Sequence, residues 1–230
     1  MKNTIIFLLV MSASIYATLL AKPDLYFNKR VDYREFTVRT RVPMTPSEVE
    51  GTLESARERI VTSELFKEGM KFDIYLPASR GQFTFFTPLQ NGDYVRVSTL
   101  NGGIFLAAAD FKAGEARKVP GDAKYRSLSS VITVGAAWDM TKRKLRPLTY
   151  MFMHEWKVRG YAAILAGLNG DFSPSDACAA TGTPEQQDYR YRLMLETVLK
   201  EEQVFYNDLL DSNFSYANAE MRLKKAYCGN

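Results

Sequence analysis

The sequence contains one histidine, His154, and Glu155 follows it directly. An imidazole next to a carboxylate is the pairing from which general acid–base chemistry and metal ligation are built. Turned through about 100° per residue, Leu148, Met151, Val158, Ala162 and Leu165 share one apolar stripe, with Glu155 on one shoulder and His154 on the other. Farther along, Tyr191, Leu195, Val198, Phe205 and Leu209 fall within a narrow sector, and Glu202 lies in its middle. A carboxylate buried in such a sector requires a charged partner or a water-filled pocket. His154 and Arg159 are the expected partners if the two helices pack together.

A strand, then a helix carrying His-Glu, then a later helix offering a glutamate resembles the zincin metallopeptidases of the glutamate-ligand type. The resemblance spans about residues 130–210. In that family two histidines one turn apart and a downstream glutamate hold zinc, and the first glutamate is the general base. It implies His154 as first metal ligand, Glu155 as catalytic base, and Glu201 or Glu202 as third ligand. The position of the second histidine holds Val158, which cannot ligate a metal. The resemblance therefore implies a degenerate zincin-like scaffold that has lost its ion. An active form would be a metal-dependent, peptidase-like hydrolase with non-standard ligands, and zinc is expected only in that case. Read without the resemblance, the same residues are polar groups of helix packing.

Other chemistry is sparse. The sequence has no Gly-x-Ser-x-Gly elbow, no Gly-x-Gly-x-x-Gly loop and no P-loop. Cys178 and Cys228 lack the C-x-x-C spacing of metal or redox sites. In an oxidising compartment they would pair as a structural disulfide closing a loop of about 50 residues, worth about 3–4 kcal/mol in the chain-entropy model. Asn213-Phe214-Ser215 fits a glycosylation sequon, which matters only on a eukaryotic secretory route. Phe83, Phe85, Phe86, Tyr94 and Phe105 crowd one stretch and suit a sheet core, or alternatively a sugar- or peptide-binding face. A net charge of +4 is not the dense basic field of a nucleic-acid binder. The sharpest basic cluster, Lys142-Arg143-Lys144 with Arg146, reads as a solvated loop before a helix, or as a contact for lipid headgroups or acidic polymers.

The elements that must position these groups can be read from periodicity and punctuation. Residues 1–21 carry Lys2, an apolar run from Ile5 to Val10 and small residues after it, the pattern of a signal peptide. Cleavage would follow Ala17 or Ala21. Kept uncleaved, the same segment is close to the length of a membrane anchor, and Lys22, Lys29, Arg30 and Arg34 behind it would favour a cytoplasmic domain. Residues 22–30 read as a linker, and 31–230 as a single domain. Within it, Val31–Val42 alternates as a strand, and Thr45-Pro46-Ser47-Glu48 is a capping box opening a helix to about Leu65. Residues 71–76 alternate again. Phe83–Thr87, Tyr94–Leu100 and Ile104–Ala109 are separated by Gly/Asn turns and predict an antiparallel meander. Residues 110–127 are polar and irregular, and Ser130–Ala137 is expected to be one more strand. Helices are predicted from Pro147 to Leu168, from the Thr183-Pro184 cap to Leu210, and from Ser215 to Tyr227.

The fold class expected is α+β, with an N-terminal helix and antiparallel β meander followed by a mainly helical C-terminal half. The expected function is an exported, periplasmic or secreted, non-catalytic binding or structural domain of the envelope. The alternatives are the hydrolase and a membrane-anchored module. Nucleic acid is not an expected partner, and a membrane is expected only through an uncleaved N-terminal segment.

Overall fold

Five short segments with β-branched or aromatic residues at alternate positions form one sheet in the computed structural model, which describes residues 2–88, 90, 92–145, 153–168, 172–179 and 182–229. In chain order they are β1 (Lys29–Tyr33), β2 (Phe36–Thr40), β3 (Phe72–Tyr75), β4 (Val95–Val97) and β5 (Ile104–Leu106). Their spatial order is β1-β2-β3-β5-β4. Val31 pairs with Val38, Val38 with Ile74, Ile74 with Ile104, and Ile104 with Val97. All five side chains are buried. One aliphatic row thus crosses every strand and pins the register, because a slip by one residue would turn it to the opposite face. β2, β3 and β5 run parallel, and the outer pairs β1/β2 and β4/β5 are antiparallel.

The Val31–Val42 segment read as one strand is a hairpin. Arg34 turns it with φ 51°, a conformation that nothing in its residue type announces. The other face of the sheet is aromatic: Tyr75 stacks on Phe105 with centroids 4.7 Å apart, within a cluster that includes Phe27, Phe83, Phe86 and Ala107. Gly103 makes room for this stack, since a Cβ there would meet Tyr75 Cε2 at 2.5 Å.

Phe83–Thr87 is not a strand. Phe83–Phe86 lies in helix α3 (Arg80–Phe86), with Thr87 as its C-cap, preceded by α1 (Lys2–Ala21) and α2 (Pro46–Ile60). Ser79 caps α3 by accepting from the Gln82 N–H, and Gln82 Oε1 accepts from the Ala78 N–H at 2.9 Å. Phe83 and Phe86, one turn apart, are buried while Phe85 is exposed, which is helical and not strand spacing. The runs Tyr94–Leu100 and Ile104–Ala109 do hold the antiparallel pair β4/β5, and a separate three-stranded antiparallel sheet follows: β6 (Ala108–Asp110) at the end of the second run, with β7 (Glu115–Arg117) and β8 (Tyr125–Ser127) in the stretch read as irregular. Asp110 Oδ1 accepts from the N–H groups of Lys112 and Ala113 to make the first of its turns.

The described residues divide into two compact units, one of Met1–Leu53 and Lys71–Leu128, the other of Glu54–Met70 and Ser129–Asn230, so that the division falls within α2. The second unit is helical: α4 (Leu128–Lys144), α5 (Glu155–Ala166), a 3-10 turn at Pro174–Cys178, α6 (Pro184–Glu202), α7 (Tyr206–Asp211) and α8 (Tyr216–Tyr227). The architecture is α+β, as its helical second half and sheet-bearing first half require.

The strand expected at Ser130–Ala137 is the first half of α4. Every residue from Leu128 to Ala137 is buried, and an element buried all round has no alternation to reveal its period. Thr133 and Thr141 satisfy their hydroxyls on the carbonyls of Ser129 and Ala137. Lys142, Arg143 and Lys144 form the last turn of this helix and not a loop, where cations suit the carbonyl end. Arg146 lies outside the described residues. Helix α5 ends at Ala166 with Gly167 in the left-handed conformation, φ 63°, and not at Asn169-Gly170, which lie outside the described residues. The long helix expected to reach Leu210 breaks at Gln203, φ 54°, and resumes as α7.

Candidate functional site

Helix α5 starts at Glu155, which makes His154 its N-cap residue (φ −61°, ψ 121°). Pro147, Leu148 and Met151, which were to have led the helix in, lie outside the described residues. His154 is exposed and makes no side-chain capping bond. Its carbonyl accepts from the Lys157 N–H. The imidazole therefore projects from a helix end and does not occupy a helix shoulder.

Glu155 is also at the surface, with 61% of its side chain exposed, and it accepts from Arg159 Nη1 at 2.7 Å one turn later. Arg159 reaches at the same time to Asp188 on α6, where its Nε donates at 2.7 Å, and to the Pro184 carbonyl at 3.2 Å. Burial works against the Arg159 charge, but Asp188 and Glu155 outweigh it and hold the guanidinium above its ordinary pKa.

Glu202 is the last residue of α6. Because the chain turns at Gln203, Glu202 stands at a helix end, exposed, and not in the middle of a buried sector. Exposure removes the reason for which a partner was expected; the carboxylate pairs with Arg222 of α8 and with neither His154 nor Arg159. Arg222 also holds Glu201, Nη1 to Oε2 at 3.0 Å, and lies 5.0 Å over the Phe214 ring. The structure thus joins Glu155 to Asp188 through Arg159, and Glu201 to Glu202 through Arg222. Among the contacts of the described residues, none joins His154 to Glu202. Among those residues no group of three or more His, Cys, Asp or Glu side chains is placed to hold a metal ion.

Three charged groups central to this unit escaped the sequence reading. Lys157 is 1% exposed, and its ammonium donates to the carbonyls of Leu209 and Ser212, both at 2.8 Å, tying α5 to the end of α7. Burial pushes its pKa down, and the nearby Asp211 charge offsets this in part. Arg190 is equally buried; it donates to the Ala179 carbonyl at 2.5 Å and pairs with Glu220 of α8. The signal was available: Arg190 stands one turn before Met194 and two before Thr197, both buried, so a charge on that stripe demands a partner. Arg222 had no such signal, because its carboxylates come from another helix.

A cleft of about 460 Å³ opens elsewhere in the same unit, lined in part by Leu65, Met70, Met140, Arg143 and Phe205. Glu64 at its edge accepts the N–H groups of Tyr206 and Asn207, both at 3.2 Å, and so caps α7. None of His154, Glu155, Glu201 and Glu202 lines it. Cys178 and Cys228 form a disulfide with Cα atoms 5.6 Å apart, tying the end of α8 to the 3-10 turn. Comparison with known proteins found no matching family model, no similar curated protein and no similar solved structure.

Proposed function

We propose that this chain is exported and acts as a non-catalytic binding or structural domain of the cell envelope. The observation that carries the proposal is that each candidate acid is closed by an arginine: Glu155 by Arg159, and Glu202 by Arg222. A general base or a metal ligand must direct its lone pairs at water or an ion, whereas these carboxylates direct theirs at guanidinium groups that join helices. Export is supported by the apolar helix α1, whose window Thr4–Ala21 has a mean hydropathy of 2.2 with none of it buried, and by the Cys178–Cys228 bridge, a bond that persists in oxidising compartments. The destination on this reading is the periplasm or the medium, with the membrane face as the alternative.

On the same reading any zincin-like ancestry survives as scaffold only, with Val158 standing where a second imidazole would be needed. The test is elemental analysis of full-length protein purified without chelators, together with His154→Ala. We expect substoichiometric zinc and an unchanged fold in the variant. One zinc per chain, lost in His154→Ala, would replace the proposal with the metal-dependent hydrolase.

A further inference from the structure

We infer that α1 is a permanent part of the folded chain, a membrane anchor whose last turns dock on the first unit, and that Leu25, Phe85 and Leu100 form an apolar rim meeting the lipid where the helix leaves the bilayer. The inference takes the membrane-anchored alternative of the proposed function, with the domain on the exported side, and adds the partner, a lipid surface.

A leader destined for removal needs no specific contacts with the mature fold, yet α1 has several. The Tyr16 hydroxyl donates to the Phe85 carbonyl at 3.1 Å, and the two rings meet edge to face with centroids 4.8 Å apart. Asn101 Nδ2 donates to the Leu20 carbonyl at 3.0 Å, satisfying one of the acceptors that a helix end leaves open. Leu19 and Leu20 pack against the aromatic cluster of Phe27, Tyr75, Phe83, Phe86, Phe105 and Ala107. Cleavage after Ala17 would sever the Tyr16 contact, and cleavage after Ala21 would remove all of them and uncover apolar ring surface. The bond after Ala17 lies inside the helix, and the bond after Ala21 lies at its last residue, where the Lys22 N–H still donates to the Thr18 carbonyl at 2.8 Å.

Helix α1 as a whole, its docked last turns included, has the dimensions of a span. Its 18-residue window carries no charge and at 1.5 Å per residue covers about 27 Å, close to the roughly 30 Å of a hydrocarbon core. The rim surrounds its docked end. Leu25 (60% exposed) follows four residues after Ala21, Phe85 (42%) holds Tyr16, and Leu100 (66%) precedes the Asn101 that holds Leu20. Docking begins at Tyr16, more than one turn before the window ends, so the rim is drawn about 5–10 Å into the headgroup region, the depth at which interfacial apolar side chains reside. Tyr16 occupies the place of a membrane-belt aromatic. Lys22, exposed and the first charge after the window, is set to meet anionic headgroups.

The test uses the full chain expressed with its own N-terminus in a bacterial host. Intact mass of the membrane fraction should show residues 1–21 retained, and the protein should resist alkaline carbonate extraction. Reconstituted in phosphatidylcholine/phosphatidylglycerol vesicles, fluorophores placed by Leu100→Cys and, separately, Leu25→Cys should be quenched by shallow nitroxide lipids. A chain shortened by 17 or 21 residues, with Cys178 and Cys228 oxidised, overturns the anchor and leaves the export reading standing. A retained helix with both labels unquenched overturns the rim. An intact chain in the soluble cytosol with both thiols free overturns the export reading as well.

Discussion

The carboxylate of Glu202, at the end of α6, is ion-paired with Arg222 in the middle of α8. The two charges belong to a surface contact, 38% and 26% exposed, that also includes Glu201. A pair so placed is worth about 0.2–1 kcal/mol. Glu202→Gln should lower stability by about that amount in urea unfolding at neutral pH and Arg222→Ala by more, since it also loses Glu201 and the Phe214 ring, and a double-mutant cycle should assign most of the Glu202→Gln loss to the pair. An effect of several kcal/mol from Glu202→Gln alone would place this carboxylate in a different environment.

Arg190 makes the opposite case. Its side chain is 2% exposed, and its charge is balanced by Glu220. Removing one member of a buried pair costs about 3–5 kcal/mol. Glu220→Gln should therefore destabilise the second unit far more than Glu202→Gln does, by about 3 kcal/mol, read from its chemical denaturation midpoint.

In the first unit, stability should fall at both ends of the pH range. The ammonium of Lys118 donates to Asp93 at 2.9 Å; this bond outweighs partial burial and, with the charges of Lys118, Arg80 and Arg96, holds the carboxyl below its ordinary value of 3.8. A carboxyl depressed on folding stabilises the protein above pH 3.8, and the contribution is lost as pH falls through the lower, folded value. Burial pushes the Tyr75 hydroxyl well above its ordinary value of 10.0. Above that pH the unfolded chain releases a proton that the folded chain keeps, so stability declines. Asp93→Asn should flatten the acid limb and Tyr75→Phe the alkaline limb, both visible in thermal midpoints measured from pH 3 to 11.

Gly103 lies under the Tyr75 ring. A methyl group there would force the ring off Phe105, and overpacking of this kind costs about 1–3 kcal/mol. Gly103→Ala should lower the thermal midpoint and alter the near-ultraviolet circular dichroism, which reports on the aromatic stack.

Where a signal was local, the sequence was legible. Thr45 and Glu48 make one half of the expected box, with Glu48 Oε2 accepting the Thr45 N–H at 2.7 Å. Thr183 accepts from the Gln186 N–H and Ser215 from the Asn218 N–H, so α6 and α8 begin where their caps predict. The burial of Phe36, Val38 and Thr40 also followed from alternation. Where tertiary packing decided, the reading failed. Phe83–Thr87 and Ser130–Ala137 are dense apolar runs that fit either period, and the Ser79 cap and all-round burial settled them as helices. The left-handed turns at Arg34 and Gln203 occur in residue types that give no warning.

The helix positions of His154 and Glu202 were misread for the second reason. One unannounced turn at Gln203 moved Glu202 from a helix interior to a helix end, and the start of α5 at Glu155 moved His154 to the cap. The counter-charge was expected because Glu202 was read as buried; the carboxylate is exposed and its ion pair is a surface contact with Arg222, twenty residues on, which nothing in the sequence announced.

Because the chain has one histidine, its imidazole proton resonances carry no overlap from another ring, and zinc titration followed on them tests the absence of a reaction centre most directly. With micromolar full-length protein at neutral pH, the His154 signals should stay in place through one equivalent of zinc, in the native chain and in Glu202→Gln alike. A shift that saturates at one equivalent in the native chain and disappears in Glu202→Gln would mean that the imidazole and the carboxylate grip a common ion, and would contradict a scaffold without a reaction centre.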